Sequence, residues 1–236
     1  MNYLITGASN GIGKSIFESL YDTKNNYLLF GNKNIVNQTK NNINKHKIDL
    51  KNYKKLVKPT QKFINLYGPL NNVIISAGTA GELSNFENLK FDKFEEVLKV
   101  NYLSNIFLLR YLWKFFKTKK YTNIIIISSN TLKFVGSEKN FSYYFSKSIL
   151  ESQTLYLSKI GAKHNINVNL IRPGVVDTFM YKNVINYSKK NLKNRISKIP
   201  RKSVISKNEI NSLVKYLCSY EARSISGNIF TISGGE

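Results

Sequence analysis

The stretch Leu4-Ile5-Thr6-Gly7-Ala8-Ser9-Asn10-Gly11-Ile12-Gly13-Lys14-Ser15 decides the fold. An apolar run ends at Thr6, glycines follow at 7, 11 and 13, and helix-compatible sequence begins at once. A parallel strand that turns sharply into a helix makes an anion site. Glycines let the ligand approach the backbone, and the free N–H groups of the first helical turn face negative charge. The loop at 7–13 is therefore expected to hold the pyrophosphate of a dinucleotide. A glycine-rich turn can also be no more than a tight turn, so the rest of the chain has to decide.

Working outward, short apolar strands alternate with helical patterns. Strands are expected at Asn2–Thr6 and at residues 27–30, 47–49, 72–76, 123–128, 167–171 and 228–232. Helices are expected at 11–21, 53–66, 89–116, Phe141–Ala162 and 208–219, with a short one within 34–44. Such alternation specifies an α/β fold: a doubly wound, Rossmann-type parallel sheet of about seven strands with helices on both faces. No proline-rich linker, repeat or composition shift divides residues 1–236, so one domain is expected. Ligands of such sheets sit at the carboxyl ends of the strands. The residues found there are the loop at 7–13, Asn32 and Lys33, Asp49, Ala77-Gly78, Ser128-Ser129 and Pro173-Gly174.

Composition narrows the function classes. A chain of 236 residues, 42% hydrophobic and 13% aromatic, is globular and can bury a real core. Its net charge of +22 would ordinarily suggest nucleic acid or an anionic membrane. Here the basic charge is nearly all Lys, scattered through every segment, and Asn, Ile, Tyr and Phe are abundant too. These residues share A/T-rich codons, so neither nucleic acid nor membrane is expected as a partner. The field still favours anionic ligands in a salt-dependent way. The one cysteine, Cys218, falls in a helical pattern, where a packing role is expected. His46 and His164 lack metal-ligand spacing, so no metal is expected. No export leader and no apolar run near the ~20 residues of a membrane span are read, and the cytoplasm is the expected compartment.

Tyr143 and Lys147 lie four apart and share a helix face. A tyrosine titrates near ~10, and a nearby ammonium lowers that value. Such a tyrosine can give a proton to a carbonyl oxygen or take one from an alcohol. With 15 tyrosines in a Lys-rich chain the spacing also arises by chance. Ser129, ending the fifth strand, can bond the substrate oxygen or simply end the strand. Asn101 in the preceding long helix can be a solvated residue, or bond backbone across the core and position a water near Lys147.

With these residues in place the chain resembles the single-domain short-chain dehydrogenases/reductases over nearly its whole length, including members like 3-oxoacyl-acyl-carrier-protein reductases. Thr6-Gly7-Ala8-Ser9-Asn10-Gly11-Ile12-Gly13 matches the family's TGxxxGIG loop, and Ala77-Gly78 the end of its NNAG motif. Asn101, Ser129, Tyr143 and Lys147 match its tetrad. Arg172-Pro173-Gly174-Val175-Val176-Asp177-Thr178 matches the segment beside the nicotinamide, and residues 227–235 the closing strand. The resemblance implies Tyr143 as general acid/base, and Lys147 lowering its pKa and bonding the nicotinamide ribose. Ser129 would orient the substrate oxygen and Asn101 would hold a relay water. It also implies cofactor contacts from Gly7, Ser9, Asn10, Gly11, Ile12, Gly13, Ala77, Gly78, Pro173 and Gly174. Asp49, beside Leu50, would meet the adenine, and Val176 and Thr178 would fix the carboxamide.

Three departures stand out. Ile75-Ser76 replaces two asparagines, the Ser129-to-Tyr143 interval is one residue longer than the common spacing, and the segment between the second and third strands is short. NAD-preferring members carry an acid after the second strand. Here that place reads Phe30-Gly31-Asn32-Lys33, and Lys33 can pair with a 2′-phosphate. NADP(H) is therefore expected over NAD(H), although Asn10 stands where many NADP enzymes have a basic residue. Residues 179–202 fall where the family keeps a substrate lid. They carry Phe179, Met180, Tyr181 and Tyr187 as pocket walls, and Lys189, Lys190, Lys193, Arg195, Lys198, Arg201 and Lys202 as a solvated face or a dock for an anionic carrier. The expected function is an NAD(P)(H)-dependent oxidoreductase interconverting a carbonyl and a secondary alcohol, acting as an NADPH-dependent reductase. Alternatives are an NAD-dependent dehydrogenase of a sugar or other secondary alcohol, or a non-catalytic dinucleotide-binding sensor or scaffold. A homodimer or homotetramer is expected by resemblance. Tyr111, Trp113 and Phe115 would supply contacts, or pack within the subunit.

Overall fold

Ile124, Ile125, Ile126 and Ile127 show why the sheet lies at the centre. Successive strand side chains point to opposite faces. Ile124 and Ile126 join a core with Leu108, Leu109, Leu112, Leu150 and Leu157. Ile125 and Ile127 join a second core with Ile16, Ile210, Val214 and Leu217. A strand buried on both faces reads as a continuous apolar run, as here. The computed structural model describes residues 1–117, 121–135, 137–184 and 188–236.

The strands are β1 (Asn2–Thr6), β2 (Asn26–Gly31), β3 (Gln38–Lys40), β4 (Ile43–Lys47), β5 (Asn72–Ile75), β6 (Thr122–Ile127), β7 (Ile166–Pro173) and β8 (Ile229–Ile232). They form one sheet in the order β3-β4-β2-β1-β5-β6-β7-β8. Every pairing is parallel except β3 with β4. The chain reverses its direction of travel across the sheet between β1 and β5, which opens a crevice at their carboxyl ends. The helices are α1 (Gly11–Leu20), α2 (Val57–Tyr67), α3 (Phe91–Leu98), α4 (Ser104–Phe116), α5 (Phe141–Ala162), α6 (Phe179–Val184), α7 (Lys189–Ile196) and α8 (Lys207–Leu217). Residues from α2, α4 and α5 fill one core, and residues from α1 and α8 fill the other. Among the described residues no helix is long and apolar enough to cross a membrane.

The region after β2 differs from the reading of the sequence. Residues 34–44 hold no helix; the exposed strand β3 pairs with β4 in a hairpin instead. The third parallel strand is Ile43–Lys47, four residues earlier than expected at its start. Asp49 consequently lies beyond that strand. It caps the 3-10 turn Leu50–Leu56, its carboxylate accepting the Lys51 N–H at 2.9 Å. β3 is the additional, eighth strand; it lies at the edge of the sheet outside β4, and in the chain it stands between β2 and β4 in place of the expected crossover helix. The long helix expected over 89–116 is also divided, with Lys99–Leu103 widened to π geometry between α3 and α4.

Candidate active site

Two clefts flank the loop that joins β1 to α1. One, of about 360 Å³, is lined by Gly7, Ser9, Asn10, Asn32, Lys33, Asp49, Leu50, Ala77 and Gly78, among others. The other, of about 370 Å³, is lined by Ile12, Ser129, Tyr143, Pro173, Gly174, Val176 and Thr178, among others. The cofactor and catalytic residues expected from sequence therefore fall on these two clefts, except for four. Gly11 and Gly13 form the ridge between the clefts, and Asn101 and Lys147 lie beneath.

The ridge can sit so low because of Gly13. A Cβ there would collide with the Gly7 carbonyl and lie 3.2 Å from Ser76 Oγ. Thr6 holds the neighbouring strand end, its hydroxyl accepting from the N–H groups of Ser76 and Ala77, each at 3.1 Å. The backbone after β5 is thus held to the end of β1 although Ile75 and Ser76 stand where the motif has asparagines. α1 begins with Asn10 as its N-cap, yet no side chain caps it and its first turn carries no acid. The opening N–H groups thus face the ridge, where the helix dipole favours an anion. Two nucleotide-sized clefts on either side of one anion-binding helix end fit a dinucleotide.

Asn101 is fully buried. Its Oδ1 accepts the Thr79 N–H at 2.8 Å, and its Nδ2 donates to the Thr79 carbonyl and to Ser146 Oγ, each at 2.9 Å. The solvated alternative is excluded, because the amide bonds backbone across the core. Its main-chain carbonyl accepts from Asn105 Nδ2 at 2.5 Å.

Lys147 is also buried, and its Nζ donates to the Ile127 carbonyl at 2.9 Å. A Cβ on Gly78 would lie 3.3 Å from Lys147 Nζ and 3.4 Å from Asn101 Oδ1, so these groups converge over Gly78. Burial pulls the ammonium down to about 8. Lys147 Nζ is 5.8 Å from the centroid of the Tyr143 ring. Burial pushes the Tyr143 phenol above its ordinary value, and a hydrogen bond with Ser129 works in the opposite direction. This departs from the expectation of a tyrosine lowered by Lys147. Desolvation by burial is the largest influence on both groups. The phenol is thus protonated at neutral pH and set to donate. Ser129 Oγ also shares a proton with Thr131 Oγ1 at 2.8 Å and accepts from the Thr131 N–H at 3.2 Å. The arrangement can bind a carbonyl oxygen between two hydroxyls and pass it a proton.

A family model described as enoyl-(acyl carrier protein) reductase matches residues 7–236. The 3-oxoacyl-[acyl-carrier-protein] reductase FabG of Buchnera aphidicola subsp. Baizongia pistaciae is 30% identical over 239 residues, 98% of this chain and 95% of that one. This chain is a short-chain dehydrogenase/reductase. It is an oxidoreductase that interconverts carbonyl and alcohol with a nicotinamide dinucleotide. A short-chain dehydrogenase family protein from Francisella tularensis subsp. tularensis superposes with a TM-score of 0.88 at 26% identity, over 99% of this chain and 97% of its own. A 4-hydroxyisoleucine dehydrogenase complexed with NADH superposes with a TM-score of 0.87 at 25% identity, over 99% and 97%.

The lid expectation is modified. Phe179 is exposed, whereas Met180 and Tyr181 line the second cleft. Tyr187 lies outside the described residues. Arg195 is not on a basic outer face: it lines the cleft, stacks on Phe134 at 5.7 Å and pairs with Glu236. Arg201 pairs with Glu209 at 2.6 Å. Sequence reading also missed Asn130 and Phe134, which line the second cleft, and Lys51 and Lys93, which line the first. No local signal marks Glu236 or Phe134, since both reach the site through long-range contacts. Among the described residues no cluster of His, Cys, Asp or Glu could hold a metal.

Proposed function

We propose that this short-chain dehydrogenase/reductase is an NADPH-dependent reductase of a 3-oxoacyl substrate. The observation that carries this reading is the convergence of the Ser129 and Tyr143 hydroxyls on the cleft next to the helix-end ridge. The relatives named as 3-oxoacyl-[acyl-carrier-protein] reductases support the substrate class. When bound, the nicotinamide supplies the hydride. Tyr143 would give the proton, Ser129 would hold the carbonyl oxygen, and Lys147, which fixes the end of β6, would bond the nicotinamide ribose. Asn101 clamps the backbone at Thr79 and leaves its carbonyl side toward Asn105. Val176 and Thr178 would hold the carboxamide end, and Asp49 and Leu50 the adenine end.

NADPH is favoured by the absence of an acid at residues 30–33 and by Lys33. Lys51 and Lys93 on the same cleft both bond Glu96, at 3.6 and 3.3 Å. Lys33 forms no ion pair among the described residues, so it is the lysine there with charge to offer a 2′-phosphate. An NAD-linked dehydrogenase of a secondary alcohol is the second reading, supported by the NADH-bound neighbour. A soluble cytoplasmic enzyme that acts on a carrier-bound substrate fits the lysines of 189–202. Self-association through α3 and α5 fits the exposed Phe91, Phe145, Leu155 and Tyr156 there. Tyr111, Trp113 and Phe115, by contrast, pack against the subunit's own core.

Turnover of acetoacetyl thioesters with NADPH and NADH, compared between wild type and Tyr143→Phe, tests the reading. The variant is expected to lose at least about 10²-fold in kcat while fluorescence titration shows dinucleotide binding intact. Full activity in the variant would remove Tyr143 from the mechanism.

A further inference from the structure

The second cleft carries polar groups that the proposed chemistry leaves idle. Its walls include apolar side chains, Ile12, Leu83, Val176 and Met180 among them. The same cleft is lined by Arg195 of α7, Tyr181 of α6 and Glu236, whose main-chain carbonyl accepts from Asn130 Nδ2 at 3.2 Å. Arg195 and Glu236 form an ion pair whose side chains are only 23% and 12% exposed. The guanidinium is fixed on its other side by the Phe134 ring. Only one carboxylate oxygen is used in that pair. Among the described residues, Glu236 Oε2 and the Tyr181 hydroxyl are buried and have no hydrogen-bond partner. Tyr181 is close enough to both charges to feel them. Burial raises its phenol, Arg195 pulls it down and Glu236 pushes it up.

Buried polar atoms without partners are costly, and sites of this kind bind a group that completes them. Charge decides which group. The ion pair is neutral overall, so a free carboxylate or phosphate gains little from Arg195 and is repelled by Oε2. Oε2 can only accept, and the Tyr181 hydroxyl can donate or accept. The complement is an uncharged hydrogen-bond donor, an amide N–H or a hydroxyl, carried by the substrate apart from its reacting carbonyl.

The geometry points to Glu236 and Tyr181, held by Arg195, as the residues that select substrates bearing such a distal donor. This inference rests on the proposed reductase reading and adds its substrate specificity. It also explains why Arg195, alone among the basic residues counted on the lid, is turned into the cleft. A donor bound at Glu236 meets the carboxylate that pairs with Arg195 of α7, so the same contact ties the substrate to that helix.

The test uses three acetoacetyl substrates with the full chain and NADPH. The N-acetylcysteamine thioester offers an amide donor, the 4-hydroxybutyl ester a hydroxyl, and the pentyl ester neither. Wild type is compared with Tyr181→Phe, which removes one oxygen, and with Glu236→Gln. For substrates carrying a donor, both variants are expected to raise KM about tenfold with kcat within about twofold, since a site built for a hydrogen bond discriminates by that interaction. The pentyl ester is expected to lose clearly less kcat/KM than the two donor-bearing substrates in both. A larger effect on the thioester than on the hydroxybutyl ester identifies the amide as the group read, and the reverse identifies the hydroxyl. Equal effects on all three substrates, or none on any, overturn the inference while leaving the reductase reading intact. Absence of wild-type turnover on all three overturns the reductase reading and this inference with it.

Discussion

Asn101 and Thr79 exchange a reciprocal pair of hydrogen bonds: the Thr79 N–H donates to Oδ1 at 2.8 Å, and Nδ2 donates back to the Thr79 carbonyl at 2.9 Å. The amide thus stands in for a neighbouring strand just where β5 runs out of one. It also reaches Ser146 on α5, three residues after Tyr143. The π-widened turn Lys99–Leu103 carries Asn101 and joins three elements around the site. Asn101→Ala breaks three bonds and strands the half-buried Thr79 backbone groups. It is expected to destabilise the chain by about 2–4 kcal/mol, at about 1 kcal/mol or more per buried unmet group. Urea denaturation measures this, and a loss below about 1 kcal/mol would show that the clamp contributes little.

Lys147 gives a prediction of opposite sign. Burial lowers its ammonium from 10.5 to about 8. Between those values the unfolded chain binds a proton that the native chain does not, so stability rises with pH through that window. Below about 8 both forms are charged and the native state carries the whole desolvation penalty, about 3 kcal/mol at 1.36 kcal/mol per unit. Lys147→Met removes the penalty and forfeits the bond to the Ile127 carbonyl, worth about 1 kcal/mol. The inactive variant should be the more stable protein at pH 7 by about 1–2 kcal/mol. Its advantage should fade as pH approaches 10.5. Denaturation at pH 7 and pH 10 checks both statements, and a less stable variant at pH 7 contradicts them.

How much of this was legible varies with the physics of each segment. Strands buried on both faces announce themselves as apolar runs, so 124–127 needed no structure. The hairpin did not. Gln38–Lys40 is fully exposed, and Ile43–Lys47 has polar residues at four of its five positions. Neither offers the period-2 signal that marks a half-buried strand. Their pairing comes from β2, whose buried edge needs backbone partners. Tyr143 and Lys147 were legible because helical spacing puts them on one face. The inward turn of Arg195 was not, because its partner Glu236 lies 41 residues further along the chain. The departure of Tyr143 from the expected pKa has a similar cause: spacing reveals proximity, whereas desolvation depends on everything packed around the pair.

Gly13 and Gly68 separate ridge geometry from general glycine effects. A methyl group at 13 has no room against the Gly7 carbonyl, so Gly13→Ala must move the loop. Gly68 has φ +83 and ψ −175 with open space around its missing Cβ, so Gly68→Ala incurs only backbone strain, about 1–3 kcal/mol. Both variants should lose stability. Only Gly13→Ala should also weaken dinucleotide binding, by at least about tenfold, since the N–H groups it displaces are those expected on the pyrophosphate. Parallel denaturation and fluorescence titrations distinguish the two. Equal dinucleotide affinity in both variants would mean that the ridge is not the phosphate site.

Cofactor preference turns on Lys33 and Asn10, which both line the cleft on the β2 side of the ridge. An exposed lysine facing a phosphate contributes about 1 kcal/mol, or about fivefold in affinity. Lys33→Ala should therefore weaken NADPH about fivefold and leave NADH within about twofold. Asn10→Arg places a second cation beside the same phosphate and should strengthen NADPH by a similar factor. Both effects should shrink between 50 and 500 mM salt, because exposed charges are screened over a shorter distance as ionic strength rises. The ratio of the two dissociation constants, compared before and after each substitution, is the deciding quantity, since the +22 net charge draws both anionic cofactors, and NADPH more strongly for its extra phosphate. If Lys33→Ala weakens NADPH and NADH equally, the lysine does not read the 2′-phosphate. Selection between the cofactors would then have to come from the shape of the cleft around Asn32 and the hairpin.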